Sequence, residues 1–324
     1  MLAPDAEEEP MNDARLDHFI TATSAPNIDE YMEEYGRAGF NVIGESARHE
    51  PGLRNRFVSF GPEYIEFVWV EDEAAFEAGQ QTAIFPDLAG LRAGARPFGI
   101  GLATADVRAL HASWTGRGYT LPEVIDGVPR DAPPSSQPVW SFQPLPPELV
   151  GGVFLFALTY HTRHGDLIRR VKVAPNTTYG IEGVTFASPS PQERAQRWRD
   201  LLAPGEPMRE AEGFYEVRTG PHFARWLTPL HYQEYLGLSY KEPPHGFGEM
   251  AVIHLLAEDL DKAEEWIASA GRDISRLPDP ASGLDTLYVY PDPRDGFTFA
   301  ITQRPAQEWL DARVRLTGER LELG

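Results

Sequence analysis

Leu16-Asp17-His18-Phe19-Ile20-Thr21-Ala22 and Tyr64-Ile65-Glu66-Phe67-Val68-Trp69 are the two stretches that decide the fold. Both are short, apolar and bounded by turn residues, so both read as strands. Each carries an ionisable residue inside its apolar run, His18 in the first and Glu66 in the second. Between them, Asn27 stands as an N-cap before Ile28-Asp29, Tyr31, Tyr35 and Ala38 recur at helical spacing, and Gly39 ends the helix. Phe40-Asn41-Val42 and Arg56 to Phe60 supply the intervening strands. The unit is therefore strand, helix, then three strands.

The same order recurs three more times. Phe98 to Ala103 leads to Asp106, a helix through Leu110 and Trp114, Gly118, and strands at Val139 to Phe142 and Val153 to Tyr160. Gly180 to Phe186 leads to Ser190-Pro191 as N-cap and first helical position, a helix to Leu202, and strands near Phe214 to Arg218 and Phe223 to Leu227. Met250 to Leu256 leads to Asp259, a helix through Trp266, Gly271, and strands at Thr286 to Tyr290 and Phe297 to Thr302. A strand-rich unit with one helix, repeated every ~70 to 85 residues, predicts an α+β fold rather than a doubly wound parallel sheet. The expected organisation is a disordered tail over 1–13, an N-terminal domain of two βαβββ modules over 14–172, and a C-terminal domain of two more over 173–324. A Pro-rich span from Asp131 to Pro147 reads as a long loop.

Composition narrows the function. The 324 residues hold 29 basic and 49 acidic side chains, a net charge of −20, which disfavours nucleic acid and anionic membranes as partners. With no cysteine, disulfide frameworks, zinc ribbons, iron–sulfur clusters and thiol nucleophiles are excluded. No apolar run has the ~20 residues needed to span a bilayer, and the acidic N-terminus is unlike a signal peptide, so the expectation is a cytoplasmic protein acting on a small molecule. No phosphate-binding glycine loop or Gly-x-Ser-x-Gly elbow is present.

Leu16-Asp17-His18, then Arg48-His49-Glu50-Pro51-Gly52 followed by Asn55, then Tyr64-Ile65-Glu66-Phe67: this succession resembles the vicinal oxygen chelate superfamily, and within it the glyoxalase-like domain group. The superfamily includes glyoxalase I, the type I extradiol dioxygenases and the bleomycin-resistance proteins. The resemblance implies paired modules forming a cupped mixed sheet around a divalent transition metal (Fe, Mn, Zn, Co or Ni). It implies a lyase, isomerase or dioxygenase acting on an oxygen-rich molecule. His18 and Glu66 would be metal ligands, with Glu66 and His49 as catalytic groups. Pairing of modules within the chain and exchange between two chains both fit the topology, so a homodimer is open.

Alignment on the strand–helix junction puts Gly99, Gly183 and Val252 at the His18 position and Ala157, Ala224 and Ala300 at the Glu66 position. Only the first module then keeps a ligand pair. His161, four residues beyond Ala157, would share its strand face and is the expected third ligand, with His49 and His164 as other candidates. Arg48, Arg54 and Asn55 would orient substrate, Arg by bidentate contact, and Trp140, Phe142 and Tyr160 would line it. The bland alternatives are a core histidine for His18 and pairing of Glu66 with Arg48, Arg54 or Arg56. His254 reads as structural, and His222 and His231 read as ordinary. Two rival functions remain: a metal-free binding protein, and a metal-free isomerase with Glu66 as base.

Overall fold

The computed structural model describes residues 14–43, 51–79, 96–128, 136–146, 149, 153–161, 170–211, 213–237, 249–296, 298–317 and 321–323. Strand β1 (Arg15–Ala22) ends at a turn into helix α1 (Ile28–Arg37), followed by β2 (Asn41–Ile43), β3 (Leu53–Phe60) and β4 (Glu63–Val70). Asn27 caps α1 by accepting from the amides of Asp29 and Glu30. The helix buries Ile28, Tyr31, Met32 and Tyr35, an i, i+3, i+4, i+7 stripe. Gly39 closes it at φ 80°, a left-handed turn that glycine adopts without strain. A Cβ there would also lie 2.8 Å from Asn176.

The second module supplies β5 (Arg96–Ala103), α3 (Val107–Gly116), β6 (Ile125–Gly127), β7 (Trp140–Pro144) and β8 (Phe154–Tyr160); α2 (Glu73–Gly79) joins the modules. The eight strands form one mixed sheet in the order β2-β3-β4-β1-β5-β8-β7-β6. Within each module the first strand runs parallel to the last, and β1 meets β5 antiparallel at the centre. The modules therefore pair within the chain. After the short β9 (Arg170–Val171), the chain repeats the design with β10 (Thr178–Ala187), α4 (Pro191–Leu202), β11 (Met208–Ala211), β12 (Phe214–Thr219), β13 (His222–Leu227), β14 (Glu249–Ala257), α6 (Leu260–Ser269), β15 (Ile274–Pro278), β16 (Asp285–Val289) and β17 (Thr298–Gln303), a second eight-stranded sheet in the order β11-β12-β13-β10-β14-β17-β16-β15. The fold is α+β, four βαβββ modules in two domains.

Among the described residues three helices have no counterpart in the expected repeat: α2, α5 (Pro229–Leu236) and α7 (Ala306–Thr317). The first two follow the last strand of the first module of each domain and put Phe76, or Tyr232 and Leu236, into the cup on that sheet. The opposite faces of both sheets, with their helices, merge into one core. It includes Phe19, Ile65, Trp114 and Leu155 from the first domain and Phe186, Trp198, Ile253 and Phe299 from the second. Tyr31 and Tyr35 both donate to Asp295 Oδ2 at 2.6 Å, and Trp114 Nε1 donates to the Leu201 carbonyl. A buried ionic cluster also crosses the seam: Glu63 accepts from Arg313 on α7 and pairs with His222 Nε2 at 3.1 Å. Burial alone would raise the Glu63 carboxyl, but Arg313 and His222 hold it below the usual carboxylate range, while burial and Arg313 push His222 down. No helix among the described residues is long and apolar enough to cross a membrane.

Candidate active site

The first cup is built on β1 and β4. In parallel register His18 pairs with Tyr64 and Ile20 with Glu66, so His18 and Glu66 face each other diagonally across the strand pair. Both side chains are largely buried, 4 % and 14 % exposed, with Nε2 4.0 Å from Glu66 Oε2. That exceeds a hydrogen bond. The imidazole is held on three sides. Its Nδ1 is 2.7 Å from Asp17 Oδ2. The Tyr64 ring stacks on it at 4.6 Å and 10°, and Phe156 meets it edge-on at 5.4 Å. Beneath it lies Gly101, where a Cβ would sit 2.3 Å from the ring, so only glycine leaves room for the imidazole.

Adjacent strand residues normally face opposite ways. Asp17 and His18 meet because β1 carries an irregularity: Leu16 pairs with Leu102 and His18 with Gly101, leaving Asp17 unopposed. Asp17 Oδ2 also accepts from Tyr160 Oη at 3.0 Å, and Tyr160 Oη lies 3.1 Å from Tyr64 Oη. Burial, and next the nearby Asp17 carboxylate, push both phenols well above their ordinary range, so they stay protonated donors. Glu66 is oriented by Asn55, whose Nδ2 donates to Oε1 at 2.5 Å. Asn55 Oδ1 is buried without a hydrogen-bond partner.

The remaining expected residues divide by strand face. Trp140 and Phe142 lie in the cup, 5.3 Å apart, and Phe142 continues to Phe156 at 5.9 Å, an aromatic wall reaching His18. Tyr160 is in the cup but bound to Asp17. Arg54 is not. It alternates with Asn55 and points to the helix side, where it pairs with Asp29 and Glu71 at 3.4 Å; Arg56 reaches Asp29 on the same side. Neither arginine neutralises Glu66. Arg48, His49 and His164 lie outside the described residues, as do residues 131–135 and 147 of the Pro-rich span.

His161 is a correction. It bonds Ser141 Oγ at 2.7 Å, and Ser141 in turn bonds Asp126, away from the His18 ring. The error is a slip of one residue. The partner of Glu66 is Ile20, two residues after His18. Two residues after Gly99, Gly183 and Val252 come Gly101, Thr185 and His254, whose partners are Phe156, Arg225 and Ala300. The Glu66 position is thus Phe156 and Arg225, not Ala157 and Ala224. A one-residue shift moves every side chain to the other face. His161 does share a face with Ala157, and that face is turned to the helices.

In the second cup the corrected residue, Arg225, fills the site with an internal ion cluster. It donates to Glu216 Oε2 at 2.9 and 3.1 Å and to Asp279 Oδ2 at 3.2 Å, all three side chains being buried. Tyr235 also donates to Asp279, and His254 bonds Thr185 at 2.8 Å. Burial and the Arg225 charge push the His254 imidazole far down, so it stays neutral.

The sequence pattern of the glyoxalase-like domain matches residues 16–202, more than half of the chain. The chain belongs to the glyoxalase-like domain family. It is thereby a member of the vicinal oxygen chelate superfamily. Among solved structures, a hypothetical protein from Staphylococcus aureus is similar at TM-score 0.58 and 12 % identity, over 90 % of this chain and all of that one (100 %). The 2,3-dioxygenase LapB from Pseudomonas sp. KL28 gives 0.55 and 12 %, over 91 % and 94 %. A Mn(II)-bound glyoxalase from Novosphingobium aromaticivorans gives 0.52 and 13 %, over 90 % and 83 %. At these identities the likeness is one of fold. No curated protein matches this glyoxalase-like chain.

The donor set of the first cup suits a divalent transition ion. An imidazole whose other nitrogen is held by a carboxylate is the usual form of a metal-binding histidine. His18 Nε2 and Glu66 Oε2, 4.0 Å apart, are within reach of one ion at ~2.0–2.2 Å from each. The partnerless Asn55 Oδ1 offers a further oxygen beside Glu66. Among the described residues no group of three or more His, Cys, Asp or Glu is placed to hold a metal ion.

Proposed function

We propose that the first cup is the active site of a metal-dependent enzyme acting on a small, oxygen-rich substrate, in a lyase, isomerase or dioxygenase reaction. The observation that supports it is the buried His18–Glu66 pair, each member oriented by its own partner, Asp17 or Asn55. A divalent ion held by His18 Nε2 and Glu66 would act as a Lewis acid on a carbonyl or enolate oxygen. The chain's own contributions are positional. Asn55 fixes the carboxylate, Asp17 fixes the imidazole, and Tyr64, Phe156, Phe142 and Trp140 keep water from the working face of the ring. The second domain, with Arg225 in place of the carboxylate, takes no metal and packs against the first as a support.

A second reading is favoured by the absence of a three-residue ligand cluster among the described residues. Here Glu66 works without metal as a general base, its carboxylate aimed into an aromatic cup. One experiment separates the two. Chelator-treated protein is offered Mn(II), Fe(II), Co(II), Ni(II) and Zn(II) in turn and analysed for bound metal, beside His18→Ala and Glu66→Gln. The metal-dependent reading expects about one equivalent of one ion in the parent, lost in both variants. No uptake of any of the five sinks it and leaves the base.

A further inference from the structure

Four side chains from three strands close a ring around the working histidine. His18 Nδ1 meets Asp17 Oδ2 at 2.7 Å, Tyr160 Oη meets the same oxygen at 3.0 Å, and Tyr64 Oη meets Tyr160 Oη at 3.1 Å. The Tyr64 ring then returns to His18 by stacking on it. Direction around this ring follows from donor chemistry. An ionised carboxylate only accepts, so Tyr160 donates its hydroxyl hydrogen bond to Asp17, and Tyr64 must then donate its own to Tyr160. For the same reason the imidazole nitrogen facing Asp17 carries hydrogen. When the ring is neutral its lone pair then lies on Nε2, the nitrogen turned to Glu66.

Tyr160 belongs to the second module, on the last strand of its half-sheet, while His18 and Asp17 belong to the first. The two modules are therefore not interchangeable halves of the cup. One supplies the reactive pair and the other the hydroxyl that steadies it.

We propose that Tyr160 is a positioning residue that acts through Asp17 on His18, fixing its Nδ1–H tautomer and ring plane so that Nε2 faces Glu66. This rests on the reading of His18 Nε2 as the working atom. The Asp17 irregularity in β1 belongs to the same device, because a regular strand would turn that carboxylate to the helix side. Tyr160 is thus assigned to the support of the histidine rather than to contact with substrate.

The test uses full-length, metal-stripped protein labelled with nitrogen-15 in histidine, with His18 assigned by loss of its signals in His18→Gln. Nitrogen shifts at neutral pH report which ring atom carries hydrogen. Co(II) alone is then titrated into the same samples. In the parent we expect Nδ1–H and a free Nε2. In Tyr160→Phe, which keeps the ring and removes only the hydroxyl, we expect mixed tautomers and Co(II) affinity weaker by roughly tenfold or more. Asp17→Asn should perturb both readouts further, and Asp17→Glu should restore part of the tautomer preference. Thermal melting of each variant separates lost support from lost fold; if Tyr160→Phe melts early, Tyr64→Phe interrupts the same ring. An Nε2–H or doubly protonated His18 in the parent overturns the proposal, as does a Tyr160→Phe protein with unchanged tautomer and unchanged Co(II) affinity. Failure of the parent to bind Co(II), with the tautomer still responding to Tyr160→Phe, would instead defeat the metal reading and leave the positioning role standing.

Discussion

The two cups share a topology and a strand register, yet treat their buried charge in opposite ways. In the first, the diagonal positions across β1 and β4 hold His18 and Glu66, and the atoms they turn toward each other stay 4.0 Å apart. In the second, the same positions hold Gly183 and Arg225, and the guanidinium is consumed by Glu216 and Asp279. Burying an ion is tolerable only when it is paired. The second cup meets that condition with its own side chains, whereas the first has an oriented but incomplete set. The same scaffold thus yields a closed structural core on one side and a site that invites a ligand on the other.

The largest expected effect tests the closed cup. Arg225→Met leaves Glu216 and Asp279 buried without their cation and should destabilise the protein by about 3–5 kcal/mol in urea unfolding. His18→Ala, at the corresponding place in the open cup, should shift the same midpoint far less. Equal losses would mean that both cups are structural and that the contrast is false. A smaller effect is expected at Gly101, whose β-carbon would overlap the His18 ring at 2.3 Å. Gly101→Ala should destabilise by about 1–3 kcal/mol through overpacking and reduce metal uptake in the elemental assay. Gly99→Ala, whose nearest neighbour is Ile20 at 3.1 Å, should do neither to the same degree.

The seam between the two halves should show in the pH profile. His222 and Glu63 both bind protons more readily unfolded than folded, since their folded values lie below 6.5 and 4.5. Stability contributed by the cluster is then complete above 6.5, declines below it as the unfolded histidine protonates, and declines again below 4.5 with the carboxyl. Melting temperature should therefore fall more steeply on acidification in the parent than in His222→Gln, and parallel profiles would remove His222 from the account. The smallest effect belongs to Arg54. Its pairs with Asp29 and Glu71 are partly exposed, so Arg54→Ala should cost under about 1 kcal/mol and leave metal uptake unchanged. Lost uptake would show that Arg54 reaches the cup after all.

Much of this architecture is readable without coordinates. The apolar runs around His18 and Glu66, the Asn27 cap and the glycine stops Gly39, Gly118 and Gly271 are local signals, and each repeats with its module. His18 and Glu66 could be singled out because a polar residue inside an apolar strand stands out against its neighbours, whereas Asn55, between Arg54 and Arg56, is marked only by the family resemblance and lies inside β3 rather than between strands. Asp17 could not. It is as polar as His18, but a regular strand would point it the other way, and the irregularity that turns it back is a matter of pairing with β5. His222 looked ordinary because its partner Glu63 is 159 residues distant. Ala157 and Ala224 stand one position away from the true Glu66 equivalents, Phe156 and Arg225, a distinction that rests on which backbone groups pair.

The chain alone determined the module, its fourfold repetition, the α+β class and the chemical character of the first cup, because strand alternation, capping and turn preferences act over a few residues. Only the tertiary structure decided that modules pair within the chain, that Tyr160 rather than His161 approaches His18, and that Arg225 closes the second cup. Those outcomes depend on strand register, where a shift of one residue reverses the face of every side chain and leaves composition and periodicity unchanged.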